Sequence, residues 1–198
     1  MSNTYIFGDC YFEVSAIKAL LSSTGVVSHS LSLFDIYNIT KSDNLILCLS
    51  SVPILGWMKY LSLINSVYQS VKCKIIVLIP DNPSKLFNSN KHIVFLCGKL
   101  SIKKLLTSLS DLTQLFYVHG QIKNQLISKG LYFWVLRGLI EHISVTDQAL
   151  RFGLNYKTIF HYRMETVRYL GFSSYHRMSV YFSNSDKLTI FSLKKLFM

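Results

Sequence analysis

The sequence predicts an α/β domain built on a parallel sheet, followed by an all-α domain that contains a helix-turn-helix. Two observations carry this prediction. The N-terminal half alternates short apolar runs with stretches of helical spacing, as buried parallel strands and their crossover helices do. Beyond residue 113 the spacing is helical, and residues 144–171 carry the signals of two short helices joined by a tight turn.

The strands of the first domain are predicted from continuous apolar runs, which are typical of strands buried on both faces of a parallel sheet. The run at 73–79 is the richest in β-branched residues. We expect strands at residues 5–7, 44–49, 73–79 and 93–97.

Helices are predicted in the intervals between these strands. The first covers residues 12–21, and others are expected at 54–71 and 102–112. The segment 26–38 is ambiguous and is compatible with a weak edge strand. The apolar residues on one side of the first helix are Phe12, Ala16, Ile17, Leu20 and Leu21.

The domain boundaries follow from the change in spacing. We expect an α/β domain at residues 1–112, a connector at 113–123 and the helical domain at 124–198. The tail at 186–198 alternates apolar and polar residues, which leaves a strand and a last helix equally open.

Composition and charge limit the possible partners. The chain has 198 residues, 50% hydrophobic and 14% aromatic, so it is long enough and apolar enough for one large or two small folded domains. Its net charge is +11, which favours a polyanionic partner such as nucleic acid or an acidic membrane surface. Residues 120–198 hold 11 Lys and Arg against 4 Asp and Glu, so the excess is denser in the helical half.

The sequence contains no motif that would make this chain an enzyme, a metalloprotein or a membrane protein. It has neither a dinucleotide fingerprint, a P-loop, an HExxH helix nor a Ser/His/Asp constellation, so we expect no catalysis and no cofactor. Its four cysteines form no CxxC pair and lie in or beside apolar runs, which favours buried, reduced thiols over a metal site. With no leader-like start and no apolar run of about 18 residues, we expect a cytoplasmic protein.

The segment 144–171 has the features of a DNA-reading helix-turn-helix. Ala149 is small where two helices must approach, Gly153 can adopt a positive φ, and Asn155 stands at the expected N-cap of a second helix. The polar side chains of that helix are Lys157, Thr158, His161, Arg163 and Arg168, while Ile159, Val167 and Leu170 can turn inward. A helix with a basic face after such a turn is how a recognition helix is presented to the major groove.

This segment resembles the C-terminal domain of LuxR/FixJ-type transcription regulators. The matching residues are Ser144, Ala149, Leu154, Lys157, Thr158, Ile159, Leu170 and Gly171, with Phe152 in place of a Leu and with Val135, Leu136 and Leu139 at the apolar positions of the first helix. The chain departs from this pattern at four further positions: Gln148 replaces Ile, Asn155 replaces Ser, Tyr162 replaces His, and Tyr132 replaces an acidic residue.

The polar residues of the second helix suggest how it would bind duplex DNA. Lys157, Arg163 and Arg168 are expected to neutralise phosphates, and the Thr158 hydroxyl to donate a hydrogen bond to one. His161 and Tyr162 are candidates for base-edge contacts, and Ile159 either touches a thymine methyl group or packs inside. Tyr156 and Phe160 are compatible with a place in the core. The alternative for the whole segment is an ordinary amphipathic helix with a solvated basic face.

The N-terminal domain resembles the receiver domain of response regulators, but without its phosphorylation chemistry. The expected acidic pair is reduced to Asp9, the phosphoacceptor position carries Leu49 followed by Ser50 and Ser51, and the fourth strand ends in Ile79, Pro80 and Asp81. One carboxylate cannot hold Mg²⁺, and leucine cannot accept a phosphoryl group. A different small α/β domain with solvated loop carboxylates is the alternative.

A receiver without its phosphoacceptor, joined to a LuxR-type domain, resembles the auxiliary regulators of capsule, mucoid phenotype and fimbriae in enteric bacteria. The resemblance implies a DNA-binding activator that acts as a homodimer, or as a heterodimer with the Rcs response regulator. The alternatives are a protein-interaction module with a vestigial helix-turn-helix and, third, a small nucleotide-binding protein. Apolar residues that would suit a dimer contact, or else fill their own domain, are Tyr11, Phe12, Trp57, Met58 and Tyr60.

Overall fold

The computed structural model describes residues 3–55, 57–80, 92–110 and 130–183. The strands are β1 (Thr4–Phe7), β2 (Ser28–Ser30), β3 (Asn44–Cys48), β4 (Lys74–Ile79) and β5 (Ile93–Cys97). The helices are α1 (Tyr11–Ser23), α2 (Tyr60–Val71), α3 (Ile102–Ser110), α4 (Gly130–Ile140), α5 (Val145–Phe152), α6 (Tyr156–Tyr169) and α7 (Tyr175–Phe182). Short 3₁₀ turns lie at Leu33–Asn38 and Trp57–Lys59.

All five strands pair in parallel, in the order β2-β1-β3-β4-β5. This is the doubly wound order of flavodoxin-like sheets, in which the direction of winding reverses between β1 and β3. The ambiguous segment supplies β2, whose residues Ser28, His29 and Ser30 pair with β1 at the edge of the sheet. The predicted parallel α/β fold and its weak edge strand are therefore confirmed.

The apolar runs of β3 and β4 are continuous because both faces of the sheet are buried. On one face Ile46 and Ile76 join a core cluster with Ile17 and Leu21 of α1 and Leu105 of α3. The neighbouring strand residues, whose side chains point to the opposite face, are also inaccessible. These residues include Leu45, Leu47, Ile75 and Val77.

The expected apolar face of the first helix is wrong in part, and the core alternative for Trp57 and Met58 is borne out. Phe12 is 82% exposed and Ala16 is also exposed, so the inward face of α1 rests on Ile17 and Leu21. Trp57 and Met58 are fully buried and fill the interior, which makes them unavailable for a dimer contact. Their burial follows the alternative of a core position, and that core belongs to the helical unit, which includes both residues.

The chain divides into two compact units. Among the described residues, 3–53, 63–80 and 92–110 belong to the first unit, and 54–55, 57–62 and 130–183 belong to the second. The predicted boundary at 112, the connector and the tail at 186–198 lie outside the described residues. In the second unit α4, α5 and α7 pack against α6. Within the described part of the chain, no helix is long and apolar enough to cross a membrane.

Candidate nucleic-acid interface

Helix α5 is bounded at both ends by the local signals that the sequence predicts. The hydroxyl of Ser144 caps its start by accepting a hydrogen bond from the Asp147 amide at 3.0 Å. Gly153 ends it with a φ of 62°, and the Leu154 amide donates to the Ala149 carbonyl at 3.0 Å. This pattern is a Schellman turn, and it needs the left-handed conformation that glycine adopts without strain. The predicted tight turn is confirmed.

Helix α6 begins where the sequence places it. The side chain of Asn155 accepts a hydrogen bond from the Lys157 amide at 2.9 Å, which caps the helix as predicted. Ile159, Val167 and Leu170 are buried and hold α6 against its neighbours. Burial of Ile159 also removes it from the candidates for base contact, because its side chain has no exposed surface.

A buried polar cluster connects α6 to α4 and α5. The Arg163 guanidinium donates two hydrogen bonds to the Gln148 side-chain oxygen, at 2.8 and 2.7 Å, and one to the Ile143 carbonyl at 2.6 Å. The amide nitrogen of Gln148 donates to the carbonyls of Trp134 and Val135 in α4, at 3.0 and 3.2 Å. These bonds satisfy both ends of the amide and fix the orientation of the guanidinium.

Gly138 makes room for this cluster. A Cβ atom at this position would lie 2.0 Å from the Gln148 amide nitrogen, which is closer than any real contact. Glycine weakens a helix interior by about 1 kcal/mol relative to alanine. Its presence in α4 is explained by the close approach of Gln148.

The expectation that Arg163 contacts a phosphate is wrong. Arg163 is 9% exposed, and its guanidinium is held by Gln148 and Ile143. Burial lowers the pKa of this guanidinium, although arginine stays charged in proteins. The sequence could not show this, because a basic residue on an amphipathic helix looks like a surface residue until its buried partner is known.

The exposed face of α6 retains most of the predicted DNA-contacting side chains. Lys157, His161 and Arg168 are exposed, while Thr158 and Tyr162 are half-buried. The side chain of His161 is 69% exposed and lies 3.4 Å from a carboxylate oxygen of Glu165, an ion pair that forms only when the imidazole is protonated. This face therefore carries two permanent positive charges and one titratable group.

Two aromatic residues share this face, although the sequence is compatible with their burial. Tyr156 is 57% exposed and Phe160 is 55% exposed. They are four residues apart and so lie on the same side of the helix. Nothing in their spacing distinguishes them from core residues, which is why sequence reasoning does not assign them to the site.

The substitution of Tyr132 for an acidic residue also has a structural explanation. The Tyr132 hydroxyl donates a hydrogen bond of 2.7 Å to Glu165 of α6, and its ring meets that of Tyr162 edge-on at 5.3 Å. The hydrogen bond to the Glu165 carboxylate is the main reason that the pKa of Tyr132 rises to about 12. Tyr132 therefore supplies a hydrogen-bond donor to the carboxylate of α6 and holds it against α4.

An internal carboxylate binds the loop at the carboxyl end of β3. Glu13, in the first turn of α1, accepts hydrogen bonds from the amides of Ser50 and Ser51 at 3.1 Å each, and from both hydroxyls at 2.7 Å. This arrangement, here named the Glu13 clasp, holds the loop that follows β3. Leu49, at the expected phosphoacceptor position, is buried.

No cation site accompanies the clasp. Asp9 is exposed, Asp81 lies outside the described residues, and the part of the chain that the structure describes contains no group of three His, Cys, Asp or Glu side chains able to hold a metal ion. The four cysteines form no disulfide, and burial raises the pKa of the Cys73 thiol to about 11. Cys48 and Cys73 are buried as expected, whereas Cys10 and Cys97 are half-buried.

Comparison with known proteins shows the fold of the whole chain. A DNA complex of the two-component response regulator RcsB superposes with a TM-score of 0.59 and 20% sequence identity, over 94% of this chain and 100% of that one. RcsB from Salmonella enterica serovar Typhimurium, bound to the rprA promoter with the phosphomimetic BeF3-, gives 0.56 and 19% over the same shares. A structure of two RcsB dimers bound to two parallel DNAs gives 0.55 and 17%, again over 94% and 100%.

No protein-family profile and no curated protein matches the sequence. The similarity is therefore one of fold, and it covers both units. This chain has the fold of a response regulator: a receiver-like α/β unit with a parallel sheet, and an all-α unit with a LuxR-type helix-turn-helix.

Proposed function

We propose that this protein is a sequence-specific DNA-binding transcription regulator that uses α6 as its recognition helix. The supporting observation is the exposed face of α6, where Lys157, His161 and Arg168 stand free of the internal hydrogen bonds that bury Arg163. Their contacts with phosphates would position the helix in the major groove. Duplex DNA as the ligand implies a cytoplasmic protein, and the proposal includes no catalytic role.

The salt dependence of binding tests this proposal. Replacing Lys157 or Arg168 by Ala should weaken binding to promoter DNA and reduce the slope of log K against log salt by roughly one for each phosphate that the protein no longer neutralises. Fluorescence anisotropy over a series of salt concentrations measures both quantities. Lys104→Ala is the matched control, because Lys104 is an exposed lysine of the first unit.

The proposal fails if the wild-type protein, alone or with a partner regulator, shows no salt-dependent affinity for promoter DNA. It also fails if Lys104→Ala lowers the slope as much as Lys157→Ala does.

Regulation without aspartyl phosphorylation is part of the proposal. A buried leucine at the acceptor position has no nucleophilic oxygen, and the clasp carboxylate of Glu13 already accepts the hydrogen bonds of the loop that follows. We expect intact-mass measurement to show no acid-labile adduct after incubation with a small phosphodonor and Mg²⁺. A stoichiometric adduct would contradict the placement of Leu49.

The target genes and the partner are proposed from the resemblance in architecture. We propose activation of surface polysaccharide or fimbrial genes, by a dimer of this chain or by a heterodimer with an Rcs-type response regulator. RcsB, which has a similar fold over both units, has been seen as dimers on DNA, and this supports a dimeric arrangement. Chromatin immunoprecipitation with sequencing, with and without the Rcs regulator, tests it: occupancy of such promoters should fall when the partner is absent.

A protein-interaction module that acts on another regulator is the second candidate. It is favoured by Tyr11 and Phe12, which are 77% and 82% exposed at the start of α1. In that case the helix-turn-helix is vestigial, and this chain shifts the mobility of promoter DNA in a gel only when the partner is present.

A further inference from the structure

The recognition face of α6 combines positive charge with exposed aromatic surface. Five of its described side chains are exposed: Tyr156, Lys157, Phe160, His161 and Arg168. Tyr156 and Phe160 are one turn apart, and the half-buried Met164 lies one turn further along the same side. The result is an apolar strip beside a row of cationic and titratable groups.

Charge complementarity identifies the occupant of this surface. Glu165 is the only acidic side chain of α6, and both of its oxygens are engaged, one by the Tyr132 hydroxyl at 2.7 Å and the other by His161 at 3.4 Å. A partner that fits must therefore be anionic and must also present small apolar groups. The major groove of duplex DNA meets both conditions, because phosphates line it and each thymine places a C5-methyl group on its floor.

We propose that Phe160 reads thymine C5-methyl groups in the major groove, with Tyr156 at the edge of the same contact. This inference rests on the proposed DNA-binding function and names a residue that sets its specificity. Ile159, the apolar neighbour in sequence, cannot take this role because it has no exposed surface. The Phe160 ring is 55% exposed in the free protein. Contact with a methyl group removes apolar surface of both partners from water, which is favourable.

The experiment removes the methyl group alone. A binding duplex is first selected from a random library with the full-length protein, and each thymine in it is then replaced by deoxyuridine, which pairs identically but lacks the methyl. Affinities are compared by fluorescence anisotropy at one fixed salt concentration, because the phosphate contribution depends strongly on salt. We expect roughly fourfold weaker binding for each methyl group that is contacted.

Variants assign the effect to Phe160. Phe160→Ala should bind the thymine and deoxyuridine duplexes equally, whereas Phe160→Leu, which keeps an apolar side chain, should retain part of the discrimination. Val27→Ala is the control, since it removes an apolar side chain that is 74% exposed in the first unit and lies outside α1 and α3. It should discriminate as the wild-type protein does. Circular dichroism and thermal melting establish that the variants are folded.

The outcomes separate this inference from the function on which it rests. Equal wild-type affinity for the two duplexes, or discrimination that survives in Phe160→Ala, overturns the role of Phe160 while leaving DNA binding intact. Failure to select any duplex, with this chain alone or together with an Rcs-type regulator, overturns both. Loss of discrimination in Phe160→Ala together with its retention in Val27→Ala supports the inference.

Discussion

Gln148 and Arg163 place an amide and a guanidinium inside the helical unit, where each depends on the other. A buried charge is tolerated only when hydrogen bonds replace its lost hydration. Here one oxygen of Gln148 and one backbone carbonyl supply them. The departure from the family Ile at position 148 is therefore coupled to the arginine fifteen residues later and to the glycine at 138.

Removal of Gln148 should destabilise the second unit. Gln148→Ala takes away two hydrogen bonds from a buried charged group, and we expect a loss of about 2–4 kcal/mol in the free energy of unfolding. Urea denaturation followed by circular dichroism measures it. The double variant Gln148→Ile with Arg163→Met should recover most of the loss, because an apolar pair can replace a buried polar one at little cost.

Two results would contradict this account. One is a Gln148→Ala protein as stable as the wild type. The other is a double variant that is less stable than Gln148→Ala, which would mean that the polar pair stabilises the unit more than an apolar pair can.

Single residues differ in how far the sequence predicts their position. Ile159, Val167 and Leu170 follow the helical period, and their burial is predicted correctly. Arg163 lies on the same buried face, but a prediction based on polarity gives this charged residue an exposed position. For Phe160 the sequence leaves core and surface open, and the fold places it at the surface. For Arg163 the deciding information is its partner Gln148, fifteen residues away, and not the local pattern.

At the scale of elements, local signals determine where the helices begin and end. Asn155 and Gly153 form their capping and turn contacts with residues that are near in sequence. Capping and turn chemistry therefore predict the limits of α5 and α6 correctly. The Glu13 clasp is different, because it joins the first turn of α1 to a loop 37 residues away. An isolated Glu in the first turn of a helix reads only as a favourable charge near the helix dipole.

The Glu13 clasp should contribute measurably to the order of the loop after β3. Glu13→Ala removes four hydrogen bonds to a carboxylate, and we expect a loss of about 1–2 kcal/mol, below the sum of the four because the site is partly exposed. The amides of Ser50 and Ser51 should also exchange faster with solvent. Urea denaturation and hydrogen exchange measure the two effects.

Glu141→Ala is the control for the clasp. Glu141 forms one exposed ion pair with Arg137 on the same helix, at 2.7 Å, and such pairs contribute only about 0.3–0.5 kcal/mol. Equal losses in the two variants, or unchanged exchange at Ser50 and Ser51 in Glu13→Ala, would show that the carboxylate does not hold the loop.

At the scale of the whole molecule, the receiver-like unit exposes large apolar side chains. Tyr11 and Phe12 expose large aromatic areas at the start of α1, and Ile102 exposes an aliphatic one at the start of α3. These two helices pack against each other on one face of the sheet. Exposed aromatic side chains are enriched at protein interfaces, so this face is the best candidate for a dimer contact.

We predict that the full-length protein binds paired half-sites as a dimer, or as a heterodimer with an Rcs-type regulator. One recognition helix contacts too few base pairs for strong discrimination, and two such helices must be held roughly 34 Å apart, one turn of DNA, to read adjacent half-sites. Insertion of about half a turn between the half-sites should therefore abolish tight binding by the full-length protein.

A fragment of residues 120–198 should bind more weakly, and its affinity should not depend on the spacing of the half-sites. Phe12→Asp should make the full-length protein behave like the fragment, because it places a charge within the proposed contact, whereas Lys104→Ala should not. Promoter occupancy by the fragment that equals that of the whole chain would refute the role of the first unit in dimerisation.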